Sequence, residues 1–338
     1  MTLPASGAIS FNAINVELGV AGATSANINQ ASYRTLAGVP SGTISLASFY
    51  GKANQFSFNI TSNQANANLR SLAIAAGWNG TSKVLATINS GIYVYSTSTG
   101  TPGLTVDGSW PGGIFLTNNG YIMGMGGGGA TAQYNTLNPG GTSGGPAISL
   151  GVSVSITNNS YIGGGGGGGG GTRVGNNPTG GGGAGGGAGG YDGGVLGGAG
   201  GAPGSVGSNG TEESYTSGKS TYYLGTGGGG GRIMPGSGGQ QGSSYYQNLG
   251  HYAGWGGGAG GGGGGNGNSF QVATAGGSAG AAGGSGGSGS PFVGMGGGGW
   301  GASGGTGYTG GGGGGKAINL NGYTASFITT GTVYGAVS

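Results

Sequence analysis

Residues Gly163 to Gly171 are nine consecutive glycines. Shorter runs follow at Gly181 to Gly183, Gly185 to Gly187, Gly227 to Gly231, Gly256 to Gly258, Gly261 to Gly265, Gly296 to Gly299 and Gly311 to Gly315. A run without side chains has nothing to bury, so no hydrophobic core forms along it. Ordering it also costs more backbone entropy than ordering any other sequence. Two outcomes remain. The runs are flexible linkers, or they are extended helices of three residues per turn that pack side by side, which only glycine permits. Glycine is 102 of 338 residues, and only fifteen of these precede Met123. The runs therefore define one part of the chain, where they alternate with short segments of quite different composition. A linker needs no such alternation, so we expect packed polyglycine-II helices. At about 3.1 Å per residue, nine residues span about 28 Å. Several such rods stacked antiparallel would form a slab, with the inserted segments leaving its ends as loops. The chain has no strict Gly-X-Y period and only ten prolines, so it is not collagen.

Charged residues are 4% of the chain, against about a quarter in ordinary globular proteins. The net charge of +3 comes from scattered single cations, so no basic patch supports nucleic-acid binding. Without cysteine there is neither a disulfide framework nor a thiolate metal site. No apolar stretch has the length of a membrane span. The start, Met1-Thr2-Leu3-Pro4, lacks the basic and apolar regions of a secretory signal, so we expect any role outside the producing cell to follow release by lysis.

The expected fold class is mainly β and irregular. Residues 1–53 read as a small head. Ser10 caps a helix with Phe11, Ile14 and Leu18 on one face; Asn27 caps a second, with Ile28, Ala31 and Leu36 inward and Gly38 at its end. An alternating stretch, Thr43 to Leu46, follows. Residues 54–162 read as a β-rich platform, with a strand at Phe56 to Ile60, a short helix over Asn68 to Ala76, and strands Lys83 to Ile88 and Ile92 to Tyr95. Phe115-Leu116-Thr117-Asn118-Asn119-Gly120-Tyr121-Ile122 recurs as Ser155-Ile156-Thr157-Asn158-Asn159-Ser160-Tyr161-Ile162. Phe327 to Tyr334 is a degenerate copy, and Thr87 to Ile92 a possible fourth. We expect these units to pack together, the chain leaving them into a glycine-rich domain over 163–315 and returning over 316–338.

Two resemblances rest on particular residues. Leu3-Pro4-Ala5-Ser6-Gly7-Ala8-Ile9-Ser10, Ile14 to Gly19, Tyr33 to Gly38 and Ser41 to Lys52 resemble an N-terminal module of tailed-bacteriophage tail and tail-fibre proteins. Ser71 to Trp78, Asn118 to Gly126 and Gly315 to Tyr323 resemble a glycine-rich domain of phage tail proteins. The alternation of glycine runs and inserts over about 124–315 is similar to the tip adhesins of T-even-like long tail fibres. This resemblance implies a polyglycine-II sandwich with receptor-binding loops. It also implies a place at the tail tip or tail fibre of a virion made in the host cytoplasm. The implied partners are other phage tail proteins, bound through residues 1–53, and a bacterial outer-membrane protein or lipopolysaccharide. The number of copies at the attachment point stays open.

Two inserts are rich in tyrosine. One, Ala202 to Thr226, holds Tyr215, Tyr222, Tyr223 and Lys219; the other, Arg232 to Trp255, holds Arg232, Tyr245, Tyr246, His251 and Tyr252. Tyrosine among serine, glycine and asparagine is the composition of binding loops, and tyrosine and arginine are frequent hot-spot residues. These nine residues are the candidate receptor contacts, with stacking on bare glycine backbone as the competing role for the tyrosines. Trp255 and Trp300 abut glycine runs and are expected to pack. Catalysis has little support: His251 is the single histidine, and the five carboxylates leave few routes to a paired-acid site. No metal-ligand spacing and no cofactor motif is present; Gly315-Lys316-Ala317 lacks the hydroxyl of a phosphate loop. A rigid tail cap without receptor contact, and an ice-binding slab, are the alternative readings.

Overall fold

The computed structural model describes residues 3–131, 140–171, 180–190, 197–210, 212–217, 220–225, 227–234, 276–277, 295–307 and 309–338. Its centre is a three-sided parallel solenoid. The first coil runs β1 (Gln55–Ile60), β2 (Gln64–Ala65) and β3 (Ala67–Asn68). The second runs β4 (Lys83–Ile88), β5 (Tyr93–Tyr95) and β6 (Leu104–Val106). The third runs β7 (Ile114–Asn118), β8 (Tyr121–Met123) and β9 (Ile148–Leu150). In the fourth, β10 (Val154–Asn158) and β11 (Tyr161–Gly163) precede a long excursion containing β12 (Glu212–Ser217) and β13 (Ser220–Gly225), and β14 (Ile318–Asn319) closes the coil. The fifth has β15 (Ala325–Thr329), β16 (Thr332–Tyr334) and Val337, which bridges to Ile318. Equivalent strands of successive coils pair in parallel, giving the side orders β1-β4-β7-β10-β15, β2-β5-β8-β11-β16 and β3-β6-β9-β14.

Alternation dictates this stacking. Val84, Ala86 and Ile88, then Ile114 and Leu116, then Val154 and Ile156 point into the solenoid and are buried, while the residues between them are half-buried. Val94, Ile122 and Ile162 line the second side, and Leu104, Val106, Ile148, Leu150 and Ile318 the third. The sequence repeat is the corner from first to second side. Its two strands do not form a hairpin; each pairs with the same strand of the next copy, as Thr117 with Thr157 and Tyr121 with Tyr161. Buried amides satisfy the corner. Asn118 Nδ2 donates to Asn158 Oδ1 (2.8 Å), and Asn158 Nδ2 donates to the carbonyls of Thr330 (2.7 Å) and Thr332 (3.2 Å). Asn158→Ala leaves these buried groups unpaired, and we expect it to cost about 2–4 kcal/mol in urea unfolding. An unchanged midpoint would show that the corner does not need its asparagine ladder.

Helix α3 (Leu69–Ala75) closes one corner within the expected span Asn68 to Ala76; Asn68 caps it through its side chain, and it ends before Gly77. Trp78 and Trp110 stack at 4.7 Å, each indole donating to a nearby carbonyl. In the head, Ser10 caps α1 (Phe11–Glu17) and Gly38, at φ +71°, ends α2 (Ala31–Ala37). The expected cap at Asn27 is displaced: Asn27 accepts from the Asn29 amide in a turn, and α2 starts after Gln30. Thr43 to Leu46 forms no strand, and Leu46–Phe49 is a 3-10 turn that buries Phe49.

Strands β8 and β11 continue without a break into glycine segments 124–130 and 163–171. Along the latter, successive amides donate to different neighbours in rotation. Gly165 and Gly168 donate to Gly145 and Thr142, Gly166 and Gly169 to Ala184 and Gly181, and Gly167 and Gly170 to Ala302 and Gly305. Its carbonyls accept in the same rotation from 124–130, from 295–301 and from 309–315. The nine-glycine run thus lies at the centre of six neighbours and bonds to all of them, with a period of three residues.

The rods are not stacked antiparallel throughout. Residues 163–171 run parallel to 124–130 and 302–305, and antiparallel to the other four. Three mutually touching rods cannot all be antiparallel, so a bundle with six neighbours around one rod must mix directions. Segments 124–130 and 140–145, within the expected platform span 54–162, hydrogen-bond to the nine-glycine run.

Candidate functional site: the two ends of the glycine bundle

The rods have a near end, against the second side of the solenoid, and a far end. Hydrogen bonds define both. At the near end Gly124 donates to Gly163, Gly164 to Tyr334, Gly301 to Gly164, and Gly185 to Gly231. At the far end Ala130 donates to Gly169, Gly180 to Ala130, Gly190 to Gly180, Gly198 to Gly227, Met295 to Gly170 and Thr309 to Gly171. The described rods end there at residues 131, 140, 171, 180, 190, 197, 210 and 227.

Between residues 210 and 227, β12 and β13 form an antiparallel hairpin. The register sets Tyr215 opposite Tyr222 across the hairpin, with Tyr223 at the alternate position opposite Ser214. Lys219, Tyr245, Tyr246, His251 and Tyr252, with Trp255, lie outside the described residues.

Arg232 is placed elsewhere. It sits at the near end and is 7% exposed. Its Nε donates to the Gly185 carbonyl at 2.9 Å, Nη2 lies 2.8 Å from Met125 Sδ, and the guanidinium lies 5.1 Å from the Tyr95 ring centre. Burial pulls its pKa below the ordinary guanidinium value, opposed by Tyr95. A direct receptor contact needs an exposed side chain, so Arg232 acts within the frame. Trp300 is fully buried beside it, its indole donating to the Ile233 carbonyl at 3.0 Å. A Cβ on Gly163 would meet Met234 Cε at 2.1 Å and Trp300 Cε3 at 3.3 Å, so this glycine makes the space both side chains fill.

Beneath them lies a feature that sequence reasoning missed. Tyr93, Tyr121, Tyr161 and Tyr334 stack along the second side at 4.8, 5.9 and 6.4 Å. The signal was present, because Tyr121 and Tyr161 occupy the same place in two copies of the repeat. Burial, with a tyrosine neighbour, raises the pKa of Tyr93 and of Tyr334 above the ordinary phenol value. The fold thus favours their neutral form. The stabilisation is complete below the unfolded value of about 10 and is lost as pH rises through the folded values. Melting temperature should fall above about pH 10, and less steeply in Tyr334→Phe. Identical alkaline profiles would remove the ladder from the pH response.

The described glycine rods thus start at the second side of the solenoid and end away from it. Residues 55–259 match the family model of the phage tail fibre adhesin Gp38. The chain belongs to that family: it is a phage tail-fibre adhesin, a protein of the virion's tail fibre. No curated protein matches it. The chain is also similar to one in the crystal structure of the gp37-gp38 adhesin tip complex of the bacteriophage S16 long tail fibre. Identity is 20% over 99% of this chain and 100% of that one, with a TM-score of 0.45.

Proposed function

We propose that the far end of the glycine bundle is the receptor-binding surface, and that the bundle is a packed polyglycine-II lattice whose work is to hold the loops rigid. The single observation that supports this most is the gathering of rod ends, with the tyrosine-bearing hairpin among them, away from the solenoid. The three-residue rotation of hydrogen bonds supports the helix type. Rigid display lowers the entropy cost of binding, which a loop on a flexible stalk would have to meet. The receptor is a bacterial outer-membrane protein or lipopolysaccharide, and the solenoid and head are held by another tail-fibre protein. Binding and not catalysis is the activity.

The test replaces Glu212 to Gly225 with a short Gly-Ser turn. Purified protein should then lose at least about tenfold in binding to host cells, the effect of removing a hot-spot cluster, with the solenoid melting transition unchanged. Full binding after this replacement, and after replacement of residues 235–255, would leave a rigid cap without receptor contact as the better reading.

A further inference from the structure

A glycine rod has a register problem. A three-residue helix of identical residues is mapped onto itself by a rise of one residue and a third of a turn. Sliding a bare rod by one residue, about 3.1 Å, therefore restores the same set of hydrogen bonds with its neighbours. In a β-sheet the two faces differ and a slip is punished; here nothing along the rod punishes it. Register must be set by the side chains that interrupt the glycine.

Rod 227–231 leads from the hairpin back to the solenoid and contains no side chain at all. Its first side chain is Arg232, and this one is held on every side. Nε–H is bonded to the Gly185 carbonyl, Nη2 faces Met125 Sδ, and the guanidinium lies over Tyr95. The slot is built for it. Gly185 and Gly186 turn at φ +98° and +82°, and a Cβ on Gly186 would lie 2.4 Å from Arg232 Nε. The same residue ties the rod on the other flank of the hairpin, its amide donating to Ser205 and its carbonyl accepting from Gly204, both at 2.9 Å.

We infer that Arg232 is the register lock of the hairpin-bearing rods: a positioning residue that decides where the far-end hairpin stands, about 20 Å away along the rod. Its importance for adsorption rests on the receptor-binding reading above; the lock itself does not. A one-residue slip moves the hairpin by about 3 Å and turns it by a third of a turn, enough to misplace every contact on it.

The chain has no cysteine, so two can be introduced cleanly. Spin labels on Ser57→Cys, in an exposed position of β1, and on Thr221→Cys report the distance from solenoid to hairpin in the full chain. With Arg232 present the distribution should have one maximum. Arg232→Ala should broaden or split it, with displacements of about 3 Å or its multiples, and cell binding should fall about tenfold. Arg232→Lys, which keeps a cationic donor, should recover part of the single maximum. One sharp wild-type distance in Arg232→Ala would overturn the lock. If that variant does not fold, a glycine inserted after Gly229 decides: with Arg232 seated, the hairpin must shift, and an unmoved hairpin means that the far end sets the register and the inference fails. A split distribution with unchanged cell binding would keep the lock and refute the receptor role of the hairpin.

Discussion

Replacing Gly168 with alanine is expected to abolish the folded glycine bundle. The added Cβ would stand 1.8 Å from the Gly128 carbonyl oxygen and 2.3 Å from its carbon, inside any contact two such atoms can make. Relief is blocked on every side. Gly168 belongs to the rod with six neighbours, and a Cβ on Gly164, Gly165, Gly166, Gly167 or Gly169 would also lie 1.9–2.1 Å from a backbone oxygen of another rod. Moving one rod aside breaks the hydrogen bonds of the next. The cost should exceed the roughly 4–5 kcal/mol that marks an exceptional single substitution, a large part of the stability of a domain. Gly310→Ala is the matched control, because its Cβ would meet nothing within 4 Å. Amide hydrogen exchange should show protection across 163–171 lost in the first variant and kept in the second. Equal protection in both would mean that the central rod is not close-packed.

Truncation after Tyr323 should unfold the glycine bundle although it removes no rod. It deletes β15, β16 and Val337, which cover Val154, Ile156 and Ile162 of the fourth coil. It also removes the Tyr334 carbonyl that accepts from Gly164 and the carbonyls that satisfy Asn158. Exposing three aliphatic side chains costs on the order of 5 kcal/mol, before the buried amide is counted. Rods 124–130 and 140–145 leave and re-enter the solenoid within its third coil and the other rods within its fourth, so the end of the chain covers the base of most of them. We expect a broad-specificity protease to cut the truncated protein within the described rods, 180–190 and 295–305, faster than it cuts the full chain. A truncated chain with a protease-resistant bundle would show that the rods stand without their closing coil.

Much of this was legible in order. Nine glycines cannot form a core, which left a flexible linker or packed rods; the alternation of runs with inserts favoured rods, and the nine-glycine run does hydrogen-bond to six neighbouring segments. The repeat around Asn118 and Asn158 announced units that stack, because identical strands with alternating apolar residues bury one another best in register. Ser10, Gly38 and Gly77 marked helix ends through local hydrogen bonding and positive φ, which need no tertiary context.

Other features depended on contacts distant in sequence. A strand–turn–strand unit reads the same whether it folds back as a hairpin or turns a corner, and only its pairing with other coils decided for the corner. Rod directions followed from six-fold contact, which excludes an all-antiparallel arrangement. Arg232 shows the limit most clearly. It stands beside tyrosine-rich sequence and has the chemistry of a binding hot spot, yet the turn at Gly185 and Gly186 and the ring of Tyr95 enclose it at the near end. Its surroundings come from residues 47 and 137 positions earlier, and local composition holds no trace of them. Residue type determined what each side chain can do; the tertiary structure decided which end of the rod it occupies, and with that whether it is enclosed in the frame.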